Sequence, residues 1–509
     1  VGRERFMQSA ESPSTVQPLA VPRGHQGVLA RNAFYLLLGQ VASTALSMVL
    51  SAALGRTLGP AEFGIYFLLM TMSTFAYVFV DWGQSALVIR EAARRPDFVG
   101  TLLGSALVFR TAVALTAVLA TASVARIMGY ELRTQLLAGF VVLCALPLGL
   151  SQPYGHLFRG RDRMDLDATV TVSAKALTVL ATLAVLALGG RLPLVIVAQM
   201  LGGTGALVVA VSLGRRVGLP RPQAQWDAIR MLGAQGAPIA FFLIAIAAQP
   251  YIDAIILSKL APAVVVGWYG AARNVIGVLT APANILAGAA FPQMSRAAGH
   301  PVELRRIVRT ALRPLLFLGA LGGVGCYAFA QVAVSVIYGA GRFGPAVNVL
   351  ALYAPALFFV FITMLLATAA TAVGRARALA FAKLVSVVVS TALALLLVPF
   401  SQTRWGNGGL GLVLAFSASE LVMLAAGAAV LPRGTLGMAT ALDVGRALLT
   451  ALGTLAFLRL LPPLSPWVGI PLCVAVFVGL GLALGLVNKQ DASTLASLLK
   501  RKAARQGAT

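Results

Sequence analysis

Charge is what this sequence has least of. Only 11% of its 509 residues are Asp, Glu, Lys or Arg, against roughly 25% in a soluble globular domain. Acidic side chains are the scarcest, 16 against 40 basic ones. A chain of this length cannot cover a water-soluble globule with so little polar surface, so that class is excluded. Cysteine is nearly absent as well. Cys144, Cys326 and Cys473 lie in apolar runs with no CxxC pair, which excludes a disulfide framework and leaves three small buried hydrophobes. The three histidines, His25, His156 and His300, have no metal-ligand or catalytic spacing, so neither a metal nor a cofactor is expected. No GxxxxGK[ST] occurs and the Gly-x-Gly pairs sit in apolar stretches, which sets nucleotide binding aside.

What the chain has instead is apolar length. Hydrophobic residues make up 59% of it and the mean hydropathy is +0.87. The apolar runs are continuous over about 20 residues, the length of a helix crossing ~30 Å of hydrocarbon. A membrane barrel would show alternating strands of about 10 residues. Fourteen spans are expected, over residues 33–54, 64–88, 99–122, 135–157, 168–188, 193–213, 235–257, 267–290, 314–336, 346–370, 379–398, 409–430, 444–461 and 467–487. The fold class is therefore all-α integral membrane protein. The connections are short, which leaves no room for an extramembrane domain.

The basic residues fix the orientation. Sorting Lys and Arg by side puts 28 on the face shared by both termini, 8 on the opposite face and 4 inside spans. Such a bias marks the cytoplasmic side. It predicts both termini on the cytoplasmic side, and it accounts for most of the net charge of +24 without nucleic acid. Trp268, Tyr269, Trp405 and Trp467 fall at outer ends, as an interfacial belt would. No cleavable signal pattern precedes the first span.

An internal repeat divides the chain. Arg56-Thr-Leu-Gly-Pro60-Ala61-Glu-Phe-Gly64-Ile-Tyr66 is echoed by Lys259-Leu-Ala-Pro262-Ala263-Val-Val-Val-Gly267-Trp-Tyr269, at an offset of 202–203 residues. Two six-helix halves in parallel orientation follow, a known transporter plan. The expected organisation is a disordered tail over 1–30, an N-terminal lobe over 31–216 and a C-terminal lobe over 217–433. Two additional helices fill 434–488 and a basic tail 489–509.

Charges inside spans are the candidate functional residues, because a charge near the bilayer centre costs on the order of 2.5–3.5 kcal/mol or more. Seven occur: Asp81, Arg110, Lys175, Asp253, Arg273, Lys383 and Glu420. Arg110, mid-span, is expected in a cavity, with a structural pair to a carboxylate such as Asp81 as the alternative. Arg273 and Lys175 are placed in the same cavity, with snorkelling as their alternative, and Lys383 is expected to snorkel. Asp253 follows Gln249-Pro250, where a proline kink next to polar groups favours a site; an outer-rim ion pair with Lys259 or Arg273 is its alternative. Asn274 and Gln249, with Gln40 and Gln84, are candidate hydrogen-bonding groups for a polar ligand of that cavity. Asp81, Asp253 and Glu420 are candidates for ion or proton coupling.

Several stretches resemble Wzx-type polysaccharide flippases. They are Ala53-Leu-Gly-Arg56 through Tyr66, Asp81-Trp-Gly83 with Val88-Ile-Arg90-Glu91, and Phe158-Arg-Gly160-Arg-Asp-Arg163-Met164. The second half adds Tyr251-Ile-Asp253, Gly267-Trp-Tyr269-Gly-Ala-Ala-Arg273, Phe291-Pro292 and Tyr338-Gly339 through Ala346. The resemblance spans roughly residues 28–430. It implies two lobes around a cavity open alternately to each side. The implied substrate is an undecaprenyl-pyrophosphate-linked oligosaccharide, moved to the periplasmic leaflet for O-antigen, capsule or exopolysaccharide synthesis. Membrane lipids, a polysaccharide polymerase and chain-length machinery are the partners this brings. A cation-coupled drug exporter and a lipid II flippase of the same superfamily remain alternatives. An enzyme is disfavoured, because the outer loops are too short to carry a site.

Overall fold

The computed structural model describes residues 23–339, 341–462 and 465–486. Of the two expected tails, 1–22 and 487–509 lie outside the described residues, while 23–30 are helical rather than tail. The described chain is helical throughout, with no strand among the described residues. Twelve stretches in it are long and apolar enough to cross a membrane. Two further crossings come from a fold-back inside the first stretch and from the long helix α8, which gives fourteen.

The fold-back lies in α1 (Arg23–Asp81), which holds one non-helical residue, Gly59, at φ 73°. That left-handed conformation suits glycine, and Pro60 behind it has the fixed φ of a helix first turn. The reversal is visible in the contacts. Ser51 Oγ lies 2.8 Å from the Tyr338 hydroxyl, and the Phe63 ring packs 5.7 Å from the Tyr338 ring. A straight helix would hold positions 51 and 63 about 18 Å apart.

The second arm continues, after a break at Trp82-Gly83, into α2 (Gln84–Arg94). A 3₁₀ turn (Pro96–Phe98) leads to α3 (Val99–Ile127). The fourth crossing is α4 (Leu132–Cys144) and α5 (Leu146–Gly160), offset at Ala145. α6 (Met164–Ala187) and α7 (Leu192–Arg216) complete the first half. The second half runs through α8 (Trp226–Leu260), α9 (Ala263–Arg296), α10 (Pro301–Ala328) with α11 (Ala330–Tyr338), α12 (Ala346–Ala372), α13 (Ala376–Trp405) and α14 (Gly408–Val430). α15 (Met438–Leu460) and α16 (Pro466–Ala483) follow. They pack on α10, where the Phe317 and Phe477 rings meet edge-on at 5.2 Å.

Large apolar residues point outward from this bundle, among them Leu119, Leu180, Leu396 and Leu452. In water such a surface would be an aggregation hazard; in a bilayer it faces acyl chains. Apolar cores fill each half.

The bundle has two ends, named here for Gly59 and for Arg159. At the Gly59 end the halves touch. Gly64 of α1 lies against the backbone of Ala263 and Gly267, and Gly267 lies against the Pro60 carbonyl. The two copies of the sequence repeat are thus packed on each other. Around them Arg56 donates to the Ile337 carbonyl at 2.9 Å, Trp268 donates to the Arg342 carbonyl at 3.0 Å, and Phe63 sits 5.8 Å from the Phe343 ring. The aromatic belt is half as expected. Trp405 and Trp467 are exposed, but Tyr269 is buried, packed between Phe67 and Tyr353.

Candidate functional site

Below the sealed Gly59 end lies a chamber of about 1290 Å³, walled by α1, α4, α5, α6 and α7 on one side and α8 and α9 on the other. A drug-sized pocket holds about 300–1,000 Å³, so this one is large for a small molecule. Its wall reaches Arg159 and Ser85 at the other end, and the Arg159 side chain is partly exposed there. A second cavity of about 660 Å³ lies within the second half. Arg273 and Pro250 line both.

Arg110 does not face the chamber. It is fully buried, with Nη2 on the Asp81 carboxylate. Nη1 donates to the Gly149 carbonyl at 3.0 Å and to Gln152 Oε1 at 2.9 Å, and Nε donates to Gln84 Oε1 at 3.2 Å. The expected cavity role gives way to the structural pair. The physical reason is that α2, α3 and α5 close around the guanidinium and satisfy it with protein acceptors. Asp81 itself does line the chamber, behind its arginine.

The chamber's other carboxylate is also taken. Asp167 lines the wall and accepts from Arg159 Nε at 2.7 Å. Sequence offers little signal for that pair, because the partners are eight residues apart across the α5–α6 turn. Beside it the buried His156 Nδ1 has no hydrogen-bond partner among the described residues.

Lys175 and Arg273 remain. Both line the chamber, one from α6 and one from α9, and neither has a carboxylate within 4 Å among the described residues. Arg273 stacks over the Phe416 ring at 5.3 Å. Asn274, next to it, donates to Ser51 Oγ at 2.9 Å and also faces the chamber.

Gln249, Asp253 and Glu420 belong to the second cavity, and with them Lys383. Instead of snorkelling, Lys383 donates to Gln249 Oε1 at 2.5 Å. Gln249 in turn donates to Ser419 Oγ at 2.8 Å and Ser390 Oγ at 3.2 Å. Gln249 on α8, held in place by its bond to Ser419 of α14, offers the ammonium a nearer acceptor than the membrane surface does. Glu420 accepts from Thr363 at 2.7 Å. Asp253 is 2% exposed with Oδ1 unpartnered. The helix carries on past Pro250 without a break, and no cation stands within ion-pair distance of Asp253 among the described residues, so the outer-rim pair is not formed.

Two helical halves around a chamber, with apolar outer faces, define a multi-pass membrane protein of the transporter-like bundle class. The chain belongs to the polysaccharide biosynthesis protein family, whose model matches residues 29–298. No curated protein matches it in sequence. Among solved structures, an inward closed conformation of the lipid II flippase MurJ is similar over 88% of this chain and 98% of its own, at a TM-score of 0.71 and 12% identity. An inward-facing multidrug resistance transporter of the MATE family in the MOP superfamily matches 75% of this chain and 93% of its own, at 0.60 and 15%. A MOP superfamily transporter from Pyrococcus furiosus matches 79% and 94%, at 0.55 and 13%. At these identities the likeness is one of fold.

Proposed function

We propose that the protein is a flippase that moves a polyprenyl-pyrophosphate-linked oligosaccharide across the inner membrane by alternating access. On this reading the Arg159 end is cytoplasmic, both termini are inside, and the substrate passes to the periplasmic leaflet. The observation that carries the proposal is the charge of the chamber. Its two carboxylates are each engaged by an arginine, while Lys175 and Arg273 hold none. A site left net positive in a low-dielectric wall suits a diphosphate, which needs its charge compensated in transit. Arginine adds a planar fork for phosphate oxygens. Asn274 and Gln152 supply polar contacts for sugar hydroxyls. A cationic drug would want the reverse polarity.

Arg273 also links the two cavities. A diphosphate that draws it into the chamber takes positive charge away from Asp253 and Glu420, which makes those carboxylates the candidates for coupling. Proteoliposomes carrying the protein and a labelled polyprenyl-diphosphate oligosaccharide provide the test. Protein-dependent exchange of the label between leaflets is expected. Transport of cationic dyes with no movement of the oligosaccharide would replace this reading with a drug exporter, and movement of lipid II alone would narrow it.

A further inference from the structure

α10 and α15 meet near the Arg159 end around a single carboxylate. Asp443 is 1% exposed and accepts from three arginines. Arg309 donates at 2.7 and 3.4 Å, Arg313 at 3.3 Å from both Nε and Nη2, and Arg446 at 3.3 Å. Among the described residues none of the three has a second carboxylate within 4 Å. Two positive charges are therefore left over. Asp443 takes five hydrogen bonds, whereas three guanidiniums carry about fifteen N–H donors. All three side chains stay partly exposed, at 36%, 23% and 39%. Arg305, one turn before Arg309, extends the patch over Gly434. None of these residues lines the chamber or the second cavity.

What lies next to the patch decides its ligand. Leu449 follows Arg446 on α15 by three residues, on the adjoining strip of the helix surface, and Leu452 continues three residues further round towards the outward face. They are 59% and 63% exposed, as lipid-facing residues are. A surplus of arginine thus sits at the polar end of a span with an apolar wall running deeper from it. That is the arrangement of a phospholipid, with an anionic head on acyl chains, whereas a soluble anion has no use for the wall.

We infer that this cluster binds the phosphodiester headgroup of an anionic membrane phospholipid, whose chains lie along Leu449 and Leu452. The lipid completes the charge balance around Asp443 and ties α15 to α10. The inference is independent of what the chamber carries.

The test uses the full chain in detergent, titrated with phosphatidylglycerol, phosphatidylcholine or inorganic phosphate, and read by thermal stability and native mass spectrometry. Phosphatidylglycerol is expected to bind and stabilise, and the other two are not. The double variant Arg309→Gln with Arg446→Gln keeps a neutral Arg313–Asp443 pair and should bind phosphatidylglycerol about tenfold or more weakly. Arg309→Lys with Arg446→Lys should retain most of the binding. Leu449→Ser with Leu452→Ser changes only lipid-facing positions and should weaken retention with the cations intact, which decides the matter if the glutamine variant does not fold. Unchanged binding in both the glutamine and the serine variants would overturn the site. Stabilisation by inorganic phosphate equal to that by phosphatidylglycerol would make it a soluble-anion site and overturn the lipid assignment.

Discussion

Gly64 and Gly267 face each other across the two halves, each at the same place in its copy of the repeat. A Cβ on Gly64 would lie 2.0 Å from the Ala263 carbonyl oxygen, and one on Gly267 would lie 1.9 Å from that of Pro60. Ordinary carbon–oxygen contacts are about 3.3–3.6 Å, so a single methyl at either position forces the two backbones apart. The closed Gly59 end depends on both being glycine.

Gly64→Ala and Gly267→Ala should therefore open this end. With Cys144, which lines the chamber, replaced by Ala, a reporter cysteine at Ser47 on the chamber wall can be labelled with a membrane-impermeant thiol reagent from the Gly59 side. Labelling is expected to accelerate in either alanine variant. Equal rates in variant and parent would show that the glycine contact does not hold this end closed.

Removing one member of the buried Arg110–Asp81 pair should damage the fold before it damages transport. Arg110→Ala leaves the Asp81 charge without its partner, at a cost of about 3–5 kcal/mol. Lower expression and a lower midpoint of thermal unfolding are expected, with partial recovery when Asp81→Asn is added. A stable Arg110→Ala protein that has lost only transport would return Arg110 to the substrate path.

Lys175 and Arg273 should behave the opposite way. Neither makes an ion pair with a carboxylate among the described residues, so Lys175→Gln and Arg273→Gln are expected to fold with a smaller change in melting temperature than Arg110→Ala. Transport of the diphosphate-linked substrate should fall by about tenfold or more in each, since a charge-assisted phosphate contact is lost. Arg273→Lys should recover part of it, because a point charge replaces a planar fork. Wild-type flux in both glutamine variants would remove the cationic chamber from the mechanism.

The bond from Lys383 to Gln249 can be measured directly. A double-mutant cycle with Lys383→Met and Gln249→Leu should give a coupling energy of about 0.6–1.7 kcal/mol, the range found for polar contacts inside membrane bundles. A lysine that reaches for the membrane surface instead would show none.

Sequence carried the architecture of this protein because lipid imposes it. Backbone groups must pair within the segment in hydrocarbon, so apolar runs of about 20 residues can only be helices, and their number follows from counting. The Pro-Ala and Gly-x-Tyr repeat likewise gave the two halves, since each marks a turn of defined geometry. Which charge meets which was decided by tertiary packing alone. Arg110 and Arg273 look alike along the chain, each a lone cation in an apolar helix. One is enclosed by acceptors from α2 and α5 and silenced by Asp81, and the other opens onto two cavities with no carboxylate in ion-pair contact. Helix rotation and neighbour choice set that difference, and both arise from contacts between residues far apart in the chain, where hydropathy along one segment carries no information.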